Sequence, residues 1–261
     1  MPRAIARRRL GLPMPIVRIL LVFLALASPA FAEDGLIDAA AARDAAQAFR
    51  VYVEGVAKKG ERPDLTRPEV TALLGRVFDL DGLNALPPAQ GSDIYWLLDW
   101  MEAANATYKL FTRYGSKPGP QPDLVAIQRN MAEYEDQFAA ALNFLIRGQA
   151  REAVSSNLFW EGFAPEQRTR VREQGLTGAR NSTAEFILSA VCSAITSGGK
   201  PANARLVAAA IRDTRDVWAS YFLPQHRSRI IEVLGVYLKQ VTDETARTDL
   251  VAFTAALQAA N

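Results

Sequence analysis

Apolar residues return every three or four positions along most of this chain, and that period predicts helices. The clearest run is Leu124, Ile127, Met131, Tyr134, Phe138, Leu142 and Leu145, which lays one stripe along a helix of about 24 residues. Regular alternation of threes and fours suits shallow antiparallel bundle packing. A second dense stretch starts at Asp93. Ile94, Leu97, Leu98, Met101, Tyr108 and Phe111 form one stripe there, and Trp96, Trp100, Thr107 and Tyr114 form another. Two stripes imply burial around much of the circumference, so this segment is expected to be the central helix.

Local start signals place the other helices. Thr66-Arg67-Pro68-Glu69 reads as a capping box with proline in the first turn, and Ser182-Thr183-Ala184-Glu185 as a second box opening a helix to about Thr196. Ser92 is expected to cap the segment at Asp93. Pro201 is expected to start a helix reaching Phe222, with Leu206, Ile211, Val217, Trp218 and Tyr221 inward. Pro224 starts the next, burying Ile230, Ile231, Leu234, Leu238 and Val241. Asp243 caps a last helix carrying Leu250, Phe253 and Leu257. Residues 36–58 are Ala-rich and amphipathic. Loops are expected at 115–122, with Pro118, Pro120 and Pro122, and at 173–181, with Gly175 and Gly178. No stretch alternates with period two between hairpin turns. The expected fold is all-α, a bundle of about eight or nine helices with a possible subdomain split near 150–180. Helix pairs stacked as an α-solenoid are the alternative; no repeat of fixed period supports it.

The first 32 residues read as a signal peptide. Arg3, Arg7, Arg8 and Arg9 precede an apolar run over residues 19–27, and Ala30-Phe31-Ala32 has the small-x-small pattern of a cleavage site. Arg7-Arg8-Arg9-Leu10 only faintly resembles a twin-arginine leader. The run falls short of the ~20 residues that a membrane span needs, and no cysteine follows the site to carry a lipid anchor. An exported, periplasmic or secreted chain of residues 33–261 is therefore expected. The leader also carries the positive charge. Of 30 Lys+Arg and 28 Asp+Glu, five arginines and no acid lie in it, which leaves the rest at −3. That balance argues against a nucleic-acid partner. Cys192 is the single cysteine, so no internal disulfide forms, and its apolar helical setting predicts a small buried side chain.

Candidate chemistry is sparse. Asp99 and Glu102 lie three apart beside Trp96 and Trp100, which places two carboxylates on one helix face near aromatic rings. In an apolar cleft, such a pair has one pKa raised for acid–base work. Glu161, next to Trp160 and just before Pro165, is an outside candidate at a helix junction. Trp96, Trp100 and Trp160 are candidate ligand platforms; core aromatics and a salt-bridged rim account for the same residues more simply. His226 is expected at the surface in a first helical turn, where the positive helix start lowers its pKa. One histidine and one cysteine build no usual zinc site, and no cofactor or metal is expected. Arg205, Arg212 and Arg215 interleave with Asp213 and Asp216, an anion clamp or a solvated ion-paired face. Asp79-Leu80-Asp81-Gly82 lacks calcium-loop spacing and reads as a turn between helices. Phosphate loops, dinucleotide motifs and nucleophile elbows are absent. The reading favoured from these residues is a non-enzymatic module binding an envelope protein or a small apolar ligand. The alternative is a helical hydrolase or lyase acting on an envelope substrate through carboxylates.

Overall fold

The computed structural model describes residues 39–117, 119, 122–195 and 199–260; the leader lies outside the described residues. Those residues fold as an all-α bundle, as the hydrophobic period predicts. The α-helices are α1 (Ala39–Lys58), α2 (Pro68–Val77), α3 (Leu80–Ala85), α4 (Ile94–Thr112), α5 (Leu124–Glu133) and α6 (Glu135–Glu161), followed by α7 (Arg170–Ala190), α8 (Pro201–Asp213), α9 (Arg215–Tyr221), α10 (Pro224–Tyr237) and α11 (Glu244–Ala259). A 3₁₀ turn, Gly91–Asp93, leads into α4, and a π-helical turn, Val191–Ile195, ends α7.

The central helix is α6, not the tryptophan-bearing α4. On one flank α6 packs against α4 and the 3₁₀ turn, and on others against α8, α9, α5 and α7. Helices α1 and α2 cover α4, while α11 covers α8, α9 and α10. Position α6 follows from its sequence, since Phe138, Ala139, Ala141, Leu142, Phe144, Leu145 and Ile146 are all buried, leaving almost no polar face over two turns. One apolar cluster joins Phe49 near the start to Leu257 near the end. A second gathers Ala42, Val77, Leu83, Trp100, Met101, Phe144 and Leu145 between α1, α2, α3, α4 and α6. Gly148 leaves room for the Met101 side chain of α4 against α6, since a Cβ there would stand 2.4 Å from Met101 Sδ and displace it.

Several local expectations are corrected. The 24-residue helix is broken at Tyr134, whose φ of −107° and ψ of 35° bend the chain between α5 and α6. Tyr134 instead donates its hydroxyl to Pro63 O at 2.9 Å, and buried Asn130 donates to Thr112 O at 3.0 Å and Tyr114 O at 2.8 Å. Anchoring α5 this way turns Ala126 and Asn130 inward and leaves Leu124 66% exposed. The helix from Pro201 bends likewise at Thr214, whose hydroxyl donates to Ala210 O and accepts from Trp218 Nε1, both at 2.7 Å. Leu206 is exposed.

Residues 173–181 are helix, not loop, and α7 runs unbroken from its N-cap at Thr169. A glycine inside a helix costs only ~1 kcal/mol, and burial of Gly175 against its neighbours outweighs it. Ser182 therefore caps nothing; its hydroxyl donates to Gly178 O. Thr66 does not cap α2 either, since its hydroxyl and amide both bond Asp64 Oδ1, and Arg67 is the N-cap residue. At the 3₁₀ turn Asp93, not Ser92, caps by accepting from Gln90 N at 3.0 Å. Residues 80–85, expected as part of a turn, are the short helix α3, because Asp79 accepts from Gly82 N and caps it. Asp123 caps α5, and Asp243 caps α11 as expected. Cys192 is exposed beside Tyr237, not buried, because the π turn rotates it outward from the apolar face. His226 is buried, not at the surface, and its Nδ1 accepts from Leu223 N at 3.3 Å. Among the described residues, no helix is long and apolar enough to cross a membrane.

Candidate functional site

The carboxylates singled out from sequence sit in separate settings. Asp99 is half exposed and bonds Arg43 of α1 at 3.0 Å. Glu102 is exposed on the next turn, where its charge reaches Lys109. Glu161 is exposed at the end of α6, where its backbone carbonyl accepts from Arg168 at 2.9 Å. No hydrogen bond joins any two of the three among the described residues.

The tryptophans divide between core and rim. Trp100 has no exposed surface and donates its Nε1 to Val77 O at 2.9 Å, with its ring 5.2 Å from Phe144. Trp96 lies 6.3 Å from Trp100, and its buried Nε1 has no protein partner. Trp160 is partly exposed under the Arg168 guanidinium. Trp100 is therefore a core ring with no open face. The Arg205, Arg212 and Arg215 row is ion-paired: Arg212 reaches Asp249 and Arg205 reaches the capping Asp243 on the last helix, while Arg212 also pairs with its neighbour Asp213 and Arg215 with its neighbour Asp216.

The chemically unusual group is one that the sequence did not single out. Beyond Ile146 the central helix turns polar through Arg147, Gln149, Arg151, Glu152, Ser155 and Asn157 while still enclosed by other elements. Interior polar groups need partners, and an unpaired one costs ~1–3 kcal/mol. Some have them. Arg147 bonds Asn143 and Asp213; Arg151 pairs with Asp93 at 3.0 Å, and both side chains are nearly buried. Asn157 accepts from Arg180 of α7 at 3.2 Å. Others do not. Among the described residues, buried Gln149 Oε1, Arg151 Nε, Ser155 Oγ and Arg180 Nε find no hydrogen-bond partner.

Glu152 stands between Gln149 and Ser155 at helical spacing i−3 and i+3, one row on the surface of α6. Among the described residues it has neither ion pair nor hydrogen bond, and enclosure by protein pushes its carboxyl up to about 7. Glu152 keeps part of its accessible surface, so solvent still touches a group that the fold otherwise surrounds. Burial first, and the Glu152 charge second, raise the pKa of the Tyr221 phenol on α9. Arg180 stacks over that ring at 5.2 Å and pulls it back, while its own pKa is lowered by desolvation. Burial first and the Arg180 charge second lower the pKa of His226 on α10. The lowered direction was expected; burial, rather than the helix start, is its main cause.

The sequence held one signal for this seam. Gly148, Ala150 and Ala153 continue the buried side of α6 past the point where the apolar stripe fades, and all three are buried. Small residues there carry the helix onward, together with its polar row. No known protein family matches the chain, and neither a curated protein nor a solved structure matches it.

Proposed function

We propose that the chain is an exported helical binding module rather than an enzyme. The observation that supports this reading is apolar surface left open at the start of α5. Leu124 and Val125 stand 66% and 77% exposed side by side. Val125 also lines a shallow basin of about 540 Å³ with Lys117, Asp123 and Arg129. Adjacent exposed apolar residues rimmed by charges are the composition of a protein-docking surface. The surface carboxylates favour the same reading, since Asp99 is held by Arg43 and neither Glu102 nor Glu161 joins it.

A photo-crosslinker at Val125, with Val51 of α1 (58% exposed) as control, tests it in the protein's own host. One reproducible partner at Val125 and none at Val51 supports a binding module. Equal labelling at both positions sinks it. A native mass spectrum of the exported fraction reads export at the same time: a mass near that of residues 33–261 supports leader removal.

The hydrolase or lyase reading retains one supporting observation, the carboxyl of Glu152 near neutrality beside the Tyr221 phenol. Buried Tyr221 and His226 leave little room there for an envelope polymer.

A further inference from the structure

We infer that the open surface at the start of α5 takes an acidic, apolar segment of a partner protein, an assignment that rests on the binding-module reading. The carboxylates of that segment face Lys117 and Arg129, and its apolar side chains cover Leu124 and Val125.

Charge selects this occupant. Between Glu102 and Glu133 the chain carries four bases, Lys109, Arg113, Lys117 and Arg129, and one acid, Asp123. The stretch is net +3, although residues 33–261 together come to −3. Its cations crowd one another: burial first and the Arg113 charge second lower the pKa of Lys109, with Glu102 opposing. Glu133, at the far end, is held by Arg62. An acidic segment is therefore drawn to this part of the surface and repelled by most of the rest.

The local geometry leaves the cations open. Asp123 is committed to the chain's own backbone, accepting from Ala126 N at 3.1 Å and from Lys117 N at 3.2 Å. Those two bonds, and after them the Lys117 charge, keep its carboxyl below the usual range. Gly115, at φ 66°, turns the chain beneath Arg129, whose guanidinium lies 3.4 Å from where a Cβ would stand. Among the described residues, neither Lys117 nor Arg129 forms an ion pair. Between Asp123 and Glu133 the exposed side of α5 shows Leu124, Val125, Gln128 and Arg129 and no acid. A lipid surface fits this patch less well. Interfacial anchors are aromatic and densely basic, whereas here two aliphatic side chains flank a concave basin with an acid in its wall.

Fluorescence anisotropy with the full chain tests the occupant. The probe is a mixed library of labelled peptides, about 12 residues long, drawn from Asp, Glu, Leu, Ile, Phe and Ser. Twin libraries replace the acids by Lys or the apolar residues by Ser. The acidic, apolar library should bind at least about tenfold more tightly than either twin. Lys117→Gln and Arg129→Gln should each weaken it about threefold, and Val125→Ser about fivefold. Raising salt from about 0.05 to 0.5 M should weaken the wild type more than the double charge variant. All three positions are exposed, so circular dichroism should find the fold intact, and Val51→Ser should leave binding unchanged. Equal binding of the Lys twin, indifference to both charge variants, or no saturable binding below about 1 mM would each overturn the acidic occupant. Binding of phosphatidylglycerol vesicles in place of peptide, lost in the double variant, would assign the surface to anionic lipid and overturn it too. Crosslinking in the host separates this inference from the reading beneath it. A protein captured at Val125 but not at Val51, and still captured by the double charge variant, overturns the acidic occupant and keeps the binding module. Equal labelling at both positions removes both.

Discussion

Trp100 and Glu152 lie on neighbouring elements of the same bundle and show opposite ways of enclosing a polar atom. Around Trp100 the accounts close: its one donor meets Val77 O, and its ring is filled in by Phe144 and Met101. Around Glu152 they stay open, with unpartnered oxygens and nitrogens on Gln149, Ser155 and Arg180 and no base for the carboxyl. Stability is invested in the first region and left out of the second. Regions with unmet interior polar groups are where functional or mobile behaviour concentrates, since packing alone never selects them.

The largest test of that contrast is Trp100→Ala. It removes a fully buried ring and strands Val77 O, so urea unfolding should show a loss of about 3–5 kcal/mol. Glu152→Gln should do the reverse at pH 7.5. Removing a carboxyl held near 7 rather than near 4.5 gains up to about 2–3 kcal/mol, and the gain should shrink to a few tenths of a kcal/mol at pH ~4.5 and vanish below pH ~3.5, where both states are protonated. A loss on Glu152→Gln at pH 7.5 would place a hidden partner at the carboxyl and erase the contrast.

Gly148→Ala probes the junction between the regions. The added Cβ would meet Met101 Sδ at 2.4 Å and Cε at 2.7 Å, and about 1–3 kcal/mol should be lost. A double-mutant cycle with Met101→Ala should recover part of that loss, because the clash is with that one side chain. The smallest effect belongs to Asp99→Asn. Its ion pair with Arg43 is half exposed on both sides, and unfolding should change by less than about 1 kcal/mol. A larger change would return Asp99 to the list of functional carboxylates.

The sequence made the fold class legible because helix period is a local property, and so are caps. Asp123 and Asp243 accept from the amide three residues on, whatever packs above them. Leu250, Phe253 and Leu257 are buried as their spacing required. Legibility ended where a distant residue competed with a local rule. Thr66 had its hydroxyl taken by Asp64, and Gly175 and Gly178 were carried inside α7. Glu152 went unremarked because the apolar stripe that marked the helix stops at Leu145, and what encloses residues 147–157 comes from other elements. Asp99 and Glu102 stood out for their neighbours in sequence, Trp96 and Trp100, yet Trp100 is sealed in the core while Asp99 stays half exposed against Arg43.

By itself the sequence determined that this chain is helical, roughly where most helices begin, and which rings fill the core, since those depend on residues within a turn or two of one another. Only the tertiary structure decided which helix lies at the centre, that Tyr134 and Thr214 are bends, and that Glu152 is the carboxyl held near neutrality. Desolvation is a sum over everything that surrounds a group, and what surrounds Glu152 comes from elements as distant along the chain as α4 and α9.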